Sequence, residues 1–224
     1  MSFITSPGVI VPPLTAGGVA YGTGSQAKVN SAGTSGQLLQ SNGASAPGWV
    51  TASSALVLLS TVTASNSATV DVETTFDSTY DVYKLIISGL TEVNDNGSIM
   101  VSMKIGGSYI TTATYVYHHS VPTSNSTAYA GTASSADNVI YLASLGNAAN
   151  RSADYEITIF NPSSTAFSKQ ITWHGTTIRN LGYATNSSGG GHNTGTGALT
   201  GIRIAVDSGN ILAGKFRLYG IANS

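Results

Sequence analysis

Apolar and polar residues alternate along four stretches in the central and C-terminal parts of the chain. The four stretches are Ser98–Ile105, Asp154–Ile159, Phe167–His174 and Ile202–Val206. In each stretch the apolar side chains lie at every second position, and the positions between them are mostly polar. A two-residue period is typical of a β-strand that is buried on one face, so each stretch predicts a half-buried strand.

Further stretches carry a weaker strand pattern, and none has the period of a convincing helix. These stretches are Leu56–Thr63, Thr69–Glu73, Val82–Ser88, Tyr109–Tyr117, Val139–Ala143, Thr176–Leu181 and Phe216–Ile221. The pair Asn96-Gly97 predicts a hairpin between Val82–Leu90 and Ser98–Ile105. Turn residues at Asn161–Ser164 and Asp207–Asn210 separate other strands. About ten strands at this spacing predict an all-β fold, an antiparallel β-sandwich that covers residues 53–224.

The first 52 residues have a different character, and we expect them to form an extended segment without a core of its own. Glycine and proline are frequent there, no periodicity persists, and Lys28 is the one charged residue before Val70. A plain flexible linker is the alternative, but a linker has little use for apolar side chains. We therefore predict that residues 1–52 anchor and trimerise the protein. The candidate contact residues are Val9, Ile10, Val11, Leu14, Leu38, Leu39 and Trp49.

Two uncharged stretches interrupt the strand rhythm, Ile105–Ala136 and Asn180–Ile202. The first is rich in tyrosine, and the second contains three consecutive glycines, Gly189–Gly191, followed by His192. Both patterns indicate long polar loops around short strands. Long loops in a compact sandwich are more often functional or disordered than neutral spacers, and we expect ligand contacts there.

Charged residues make up only 8% of the 224 residues, against about 25% in ordinary domains, and the formal net charge is −1. Nine cations spread this thinly cannot form the basic surface that nucleic-acid binding needs. No apolar run approaches the length of a membrane span. A surface built from neutral polar residues lacks the charge repulsion that opposes self-association, which favours an obligate assembly.

No motif indicates catalysis, a cofactor or a metal. The chain has no cysteine, and its four histidines lack metal-ligand spacing. His118 and His119 are adjacent, so in a strand they would face opposite sides. The ten carboxylates fall mostly in turns or on the polar parity of strands, and no nucleophile motif accompanies them. We expect no enzymatic activity, no cofactor and no metal site.

The remaining chemistry is aromatic and polar. The chain has 11 tyrosines against 5 phenylalanines and 2 tryptophans. Tyrosine combines a flat apolar face with a hydroxyl group, which suits neutral hydroxylated ligands such as glycans. Filling of sandwich edges and subunit contacts is the other interpretation of these tyrosines. The candidate receptor-binding residues are Tyr115, Tyr117, His118, Tyr129, Tyr183, His192 and Asn193.

Four segments resemble a known family. The runs Gly17–Gly24 and Ala32–Val50 resemble a segment found repeatedly in tail-fibre and related structural proteins of tailed bacteriophages. The runs Thr75–Leu90 and Ile211–Ile221 resemble parts of the jelly-roll-like terminal domain of phage fibre and receptor-binding proteins. The family has no shared catalytic residues to carry over.

The resemblance implies a homotrimeric tail fibre in the virion. Its N-terminal segment would attach to other tail or baseplate proteins, and its C-terminal β-sandwich would be of jelly-roll type. Loops of this sandwich would bind a host-surface polysaccharide or protein, with three weak sites acting together. A purely structural virion protein, such as a tail adaptor, a baseplate component or a capsid decoration protein, is the main alternative. A polysaccharide-degrading enzyme and a cellular carbohydrate-binding module are further alternatives.

Overall fold

A computed structural model describes residues 13, 15–24, 26–51, 55–74, 76–126 and 131–223. The chain divides into two compact units, Met1–Ser54 and Ala55–Ser224. We call the first the N-terminal unit and the second the sandwich domain. All pairs of neighbouring strands in both units are antiparallel.

The N-terminal unit contains two short two-stranded sheets. Its strands are β1 (Ala20–Gly22), β2 (Ala27–Val29), β3 (Gln37–Asn42) and β4 (Ser45–Thr51), and β1 pairs with β2 and β3 with β4. The pair Asn42-Gly43 begins the turn between β3 and β4, where Gly43 takes a φ of 68° that suits glycine. None of the described residues of this unit is buried.

The sandwich domain contains a large sheet of eight strands in the order β11-β10-β15-β14-β13-β7-β17-β5. Its strands are β5 (Leu56–Ser67), β7 (Val82–Glu92), β10 (Tyr115–Ser120), β11 (Gly131–Asp137), β13 (Ala153–Phe160), β14 (Lys169–Ile178), β15 (Ala184–Asn193) and β17 (Ile211–Ile221). A short 3₁₀ turn, Asn180–Gly182, connects β14 to β15. Nowhere in the described part of the chain is there a helix that could cross a lipid bilayer.

A smaller sheet of five strands completes the domain. Its strands are β6 (Thr69–Glu73), β8 (Ser98–Ile105), β9 (Ser108–Tyr109), β12 (Ile140–Ser144) and β16 (Leu199–Val206). Their order is β12-β8-β16-β6, and β9 pairs with β8 outside this path. The two sheets enclose one hydrophobic core, so the domain is an antiparallel β-sandwich.

Side-chain alternation builds this core, as the sequence pattern predicts. Ile157 and Ile159 of β13 and Trp173 of β14 face inward from the large sheet. Val101 of β8 and Ile204 of β16 are fully buried on the small sheet. Phe167 is an exception to the predicted parity, because it precedes β14 and is 67% exposed.

Several sequence-based boundaries are wrong, and the reasons differ. The stretches predicted as polar loops contain strands β10, β11 and β15. β15 was missed because three consecutive glycines carry no hydropathy signal. Tyr109–Tyr117 is not one strand, since residues 110–114 lie between β9 and β10, and Thr176–Leu181 ends as a strand at Ile178.

The predicted hairpin at Asn96-Gly97 is also wrong. β7 lies in the large sheet and β8 in the small one, so the Asn96-Gly97 turn carries the chain between the sheets. Asn96 takes a φ of 65° in this turn. The turn signal is therefore genuine, but a local turn does not specify which strands pair.

A bulge in β7 turns an acidic side chain into the core. Tyr83, Leu85 and Ile87 are buried at odd positions, but after Gly89, with a φ of 63°, the buried positions become even. Glu92 is therefore only 1% exposed. Its Oε1 accepts a hydrogen bond from the Gly97 amide at 3.0 Å, whereas its Oε2 has no partner among the described residues.

The buried environment of Glu92 predicts that the free energy of unfolding depends on pH. Burial, with a smaller effect of the Asp95 and Asp207 charges, raises the pKa of Glu92 from 4.5 to about 7. Since the folded protein favours the neutral acid, stability should fall as the pH rises from about 4.5 to about 7, by roughly 3 kcal/mol. Urea unfolding of the wild type and of Glu92→Gln across this range measures the effect. Equal pH slopes in the two proteins would contradict the assignment.

Candidate functional site

An open groove of about 650 Å³ crosses the outer face of the large sheet, the face directed away from the small sheet. We call it the outer groove. Its described lining comes from strands β10, β11, β13, β14 and β15. The lining residues are Val116, Tyr117, His118, Ala133, Ser134, Ser135, Phe160, Gln170, Ile171, Thr172, Gly190, Gly191 and His192.

Strand register explains which side chains meet in the groove. Gly190 of β15 lies directly between His118 of β10 and Thr172 of β14. Two residues further along β15, His192 lies between Val116 and Gln170. Because alternate residues of a strand share a face, these side chains all point outward, and the missing side chain at Gly190 leaves the depression.

Gly189 and Gly191, on either side of Gly190, leave space for side chains that pack on the inner face of β15. A Cβ atom at Gly189 would lie 2.5 Å from the Trp173 ring and 2.5 Å from the His118 carbonyl oxygen. A Cβ atom at Gly191 would lie 2.6 Å from the Cβ of Tyr117. Both positions therefore require glycine for packing. Gly190 does not, since its nearest contacts would be ordinary ones at 3.6 Å and beyond.

The groove offers hydrogen-bonding groups and no formal charge. Among its described lining residues there is no Asp, Glu, Lys or Arg. Serine and threonine hydroxyls, the Gln170 amide and two imidazoles provide donors and acceptors, and Phe160 and Val116 add apolar surface. This combination suits a neutral, hydroxylated ligand that has both polar edges and an apolar face.

The structure brings three of the predicted receptor-binding residues to this groove: Tyr117, His118 and His192. His118 is exposed, and its neighbour His119 is 5% exposed on the opposite face, as the sequence predicts. Tyr117 is itself 5% exposed. Its hydroxyl donates to Asp137 at 3.2 Å, and burial together with this carboxylate raises the pKa of Tyr117 to about 12.

Tyr115 and Asn193, also predicted as receptor-binding residues, lie inside the sandwich. The Tyr115 hydroxyl accepts from the Met103 amide at 2.8 Å and donates to the Ile110 carbonyl at 3.2 Å, and burial raises its pKa. Asn193 is 2% exposed and donates to the Thr114 hydroxyl at 2.8 Å. Both side chains hold the chain around β10 and are not part of the outer surface.

Of the two other predicted tyrosines, the structure describes Tyr183, which lies away from the groove. Tyr183 is 36% exposed and precedes β15, at the end of the strand opposite to Gly190. At about 3.3 Å per residue, roughly 23 Å separate the two positions. Tyr129 lies outside the described residues.

The predicted anchoring residues fall into two sets. Val9, Ile10, Val11 and Leu14 lie outside the described residues. Leu38 and Leu39 on β3 are 58% and 44% exposed. The Trp49 ring packs against Gly33, and its Nε1 donates to the Ser31 carbonyl at 2.8 Å.

The sequence reasoning missed Gln170, Thr172 and Phe160 as groove residues. Gln170 and Thr172 occupy the polar parity of their strand, which marks a solvated face but not a binding face. Their importance follows only from the register with β15, which places them beside His192 and Gly190. Phe160 joins them because it pairs with Gln170 across β13 and β14.

No group of three or more potential metal ligands, His, Cys, Asp or Glu, is found among the residues that the structure describes. Comparisons of the chain with protein-family models, curated proteins and solved structures found no match. The fold and the geometry of the outer groove are therefore the features of this protein that bear on its function.

The glycine run gives a direct test of this geometry. Gly189→Ala should lower the free energy of unfolding by about 1–3 kcal/mol, because the new methyl group clashes with backbone and with the Trp173 ring. Gly190→Ala is the matched control and should change it by about 0.5 kcal/mol or less. Chemical unfolding of both variants provides the comparison. Equal destabilisation would show that the two faces of β15 are assigned wrongly.

Proposed function

We propose that this chain is a tailed-bacteriophage tail fibre protein that binds a neutral glycan on the host surface in the outer groove. The protein would be a homotrimer in the virion, attached to other tail or baseplate proteins by its N-terminal unit. The uncharged polar lining of the groove is the observation that carries the proposal. The resemblance of four sequence segments to phage tail proteins supports the biological context.

The chemistry of the groove favours a sugar over a charged ligand. A sugar presents hydroxyl groups at its edges and C–H groups on its faces. Gln170, Thr172 and the imidazole of His192 can exchange hydrogen bonds with such hydroxyls, while Phe160 offers an aromatic surface to a sugar face. A charged ligand would lose its hydration without gaining an ion pair in this lining.

The strand order supports a jelly-roll type of sandwich. In a jelly roll a long antiparallel hairpin is rolled up. Its first strand therefore pairs with its last, its second with its second-to-last, and so on. The pairs β6–β16, β7–β13, β8–β12 and β10–β11 nest in this way. β13 is the seventh strand of this nested set. β14 and β15 follow it along the chain and form a meander between β13 and β10 in the large sheet. Jelly rolls are common in viral structural proteins and in lectins.

The composition supports a trimer with weak individual sites. A chain with 8% charged residues has little electrostatic repulsion between copies. The exposed Leu38 and Leu39 of the N-terminal unit offer apolar surface to other copies or to a tail protein. An open groove makes a weak contact with one sugar, and three linked copies convert weak contacts into firm attachment.

Filling the groove tests the function without disturbing the core. Gly190→Leu places a side chain between His118 and Thr172, where a Cβ atom has ordinary contacts. Fluorescently labelled wild-type protein should bind at least one strain in a panel of bacteria, and Gly190→Leu should reduce that binding at least about tenfold. Ser188→Leu, on the same face of β15 but outside the groove lining, should bind as the wild type does.

Two controls make the result decisive. Light scattering should give a mass near three times 22.8 kDa for all three proteins. If Gly190→Leu binds the bacteria as strongly as the wild type does, the outer groove is not the glycan-binding site. If the wild type itself binds no strain in the panel and no purified surface polysaccharide, the purely structural role in the virion replaces the receptor-binding one.

A further inference from the structure

A second open depression, of about 440 Å³, lies on the outer face of the large sheet, the face that also carries the outer groove. We call it the distal depression. Its described lining comes from β7, β13 and β14, and β13 and β14 also line the outer groove. The lining side chains that point outward are Ile86, Ser88, Asp154, Glu156, His174 and Thr176.

Strand β14 leads from the outer groove into the distal depression. Its outward residues lie at every second position, and the first two of them, Gln170 and Thr172, line the outer groove. The next two, His174 and Thr176, line the distal depression. At about 3.3 Å per residue, roughly 20 Å separate Gln170 from Thr176. This distance is several times the width of one sugar ring, so a ligand that reaches both sites has to be a chain.

Strand β13 runs beside β14 along the same path. Phe160 of β13 lines the outer groove, and Glu156 and Asp154 line the distal depression. The outward residue between them is Thr158, which pairs with Thr172 across the two strands. Because threonine is small, no bulky side chain of β13 or β14 separates the two sites.

Two carboxylates of the distal depression have oxygen atoms that are free to accept hydrogen bonds. Asp154 Oδ1 accepts from the Gly89 amide at 2.8 Å, and Glu156 Oε1 forms an ion pair with Lys84. The other oxygen of each carboxylate has no hydrogen-bond partner among the described residues. Since both residues are exposed, a ligand on this face of the sheet can reach them.

His174 and Thr176, both exposed, supply hydrogen-bond donors beside these acceptors. The Asn186 amide nitrogen donates to His174 Nε2 at 3.2 Å, so the ring proton of His174 lies on Nδ1. That Nδ1 and the Thr176 hydroxyl have no hydrogen-bond partner in the described part of the chain. A sugar hydroxyl donates and accepts at once, so it can bind between such a donor and a carboxylate oxygen.

Charges of both signs surround the distal depression. The negative groups, Asp154 and Glu156, are on β13. The positive groups are on β7 and β17, and they are Lys84, Lys215 and Arg217. A polyanion would meet the two carboxylates, and a polycation would meet the three basic groups, so like charges oppose both. A neutral chain of hydroxylated units meets neither repulsion.

We propose that the outer groove and the distal depression together bind one neutral oligosaccharide, which lies along β13 and β14. Sugar units at one end occupy the outer groove, and the units beyond them form hydrogen bonds with Asp154, Glu156 and His174. Ile86, which lies between Glu156 and Arg217 in the sheet, offers these units an apolar surface. The inference rests on the glycan-binding function proposed for the outer groove, and it specifies the length of the ligand.

Calorimetric titration of the full chain with polysaccharide fragments of two lengths tests the proposal. The probes are disaccharide and hexasaccharide fractions of a neutral surface polysaccharide, purified from a strain that the wild type binds. Asp154→Ala removes one of the free acceptors. Asp77→Ala is the matched control, because Asp77 is also exposed and also accepts one backbone amide, that of Thr79, at 2.8 Å, but lines neither site.

The wild type should bind the hexasaccharide at least about tenfold more tightly than the disaccharide, because only the longer fragment reaches the distal depression. In Asp154→Ala this advantage should fall to about threefold or less, whereas Asp77→Ala should keep the advantage of the wild type. A longer fragment also repeats its unit more often, but that statistical gain is the same for all three proteins and cannot separate the two variants.

Two results would overturn the proposal and leave the glycan-binding function in place. Equal affinity of the wild type for the two fractions would restrict the site to the outer groove. An equal advantage of the hexasaccharide in Asp154→Ala and in Asp77→Ala would show that the ligand does not reach the distal depression. If the wild type binds no strain and no intact polysaccharide, the glycan-binding function itself fails, and this inference fails with it.

Discussion

Strand β15 lies inside the large sheet and has no side chain at three consecutive positions, Gly189–Gly191. The packing of the inner face and the shape of the groove on the outer face both depend on these three glycines. On the inner face, Gly189 and Gly191 leave the space that the Trp173 ring and the Tyr117 side chain occupy. On the outer face, Gly190 leaves the depression between His118 and Thr172. Glycine weakens a strand on its own, so this run is tolerated because the flanking strands and the core hold it.

Charged side chains are paired on the small sheet and are absent from the described lining of the outer groove. On the small sheet, Arg203 donates two hydrogen bonds to Asp71, both at 2.7 Å, and stacks 3.8 Å from the Tyr109 ring centre. Its charge is therefore satisfied within the protein. The described lining of the outer groove has no Asp, Glu, Lys or Arg.

The sequence pattern predicted the sandwich because most core strands alternate apolar and polar residues, most regularly β13 and β14. It could not predict β15, since glycines carry no hydropathy signal, or the inward turn of Glu92, since a one-residue bulge at Gly89 changes parity without changing composition. A local turn signal also could not predict that β7 and β8 belong to different sheets.

The candidate site was predicted in part for similar reasons. Alternation correctly placed His118 and His119 on opposite faces, but it did not reveal that Tyr115 shares the buried parity. The partners of His118 and His192 in the groove come from β11, β13 and β14, which are distant in sequence. Only the register of the sheet brings them together, and no spacing along the chain encodes that register.

The proposed binding of a neutral glycan in the outer groove can be tested by measuring how the 224-residue chain binds an array of neutral and acidic bacterial-surface glycans, at low and at high salt. A neutral groove makes no ion pairs with its ligand, so salt screening should not weaken its contacts. The account predicts saturable binding to at least one neutral glycan with the same midpoint at both salt concentrations. Binding confined to polyanionic glycans and lost at high salt would contradict it.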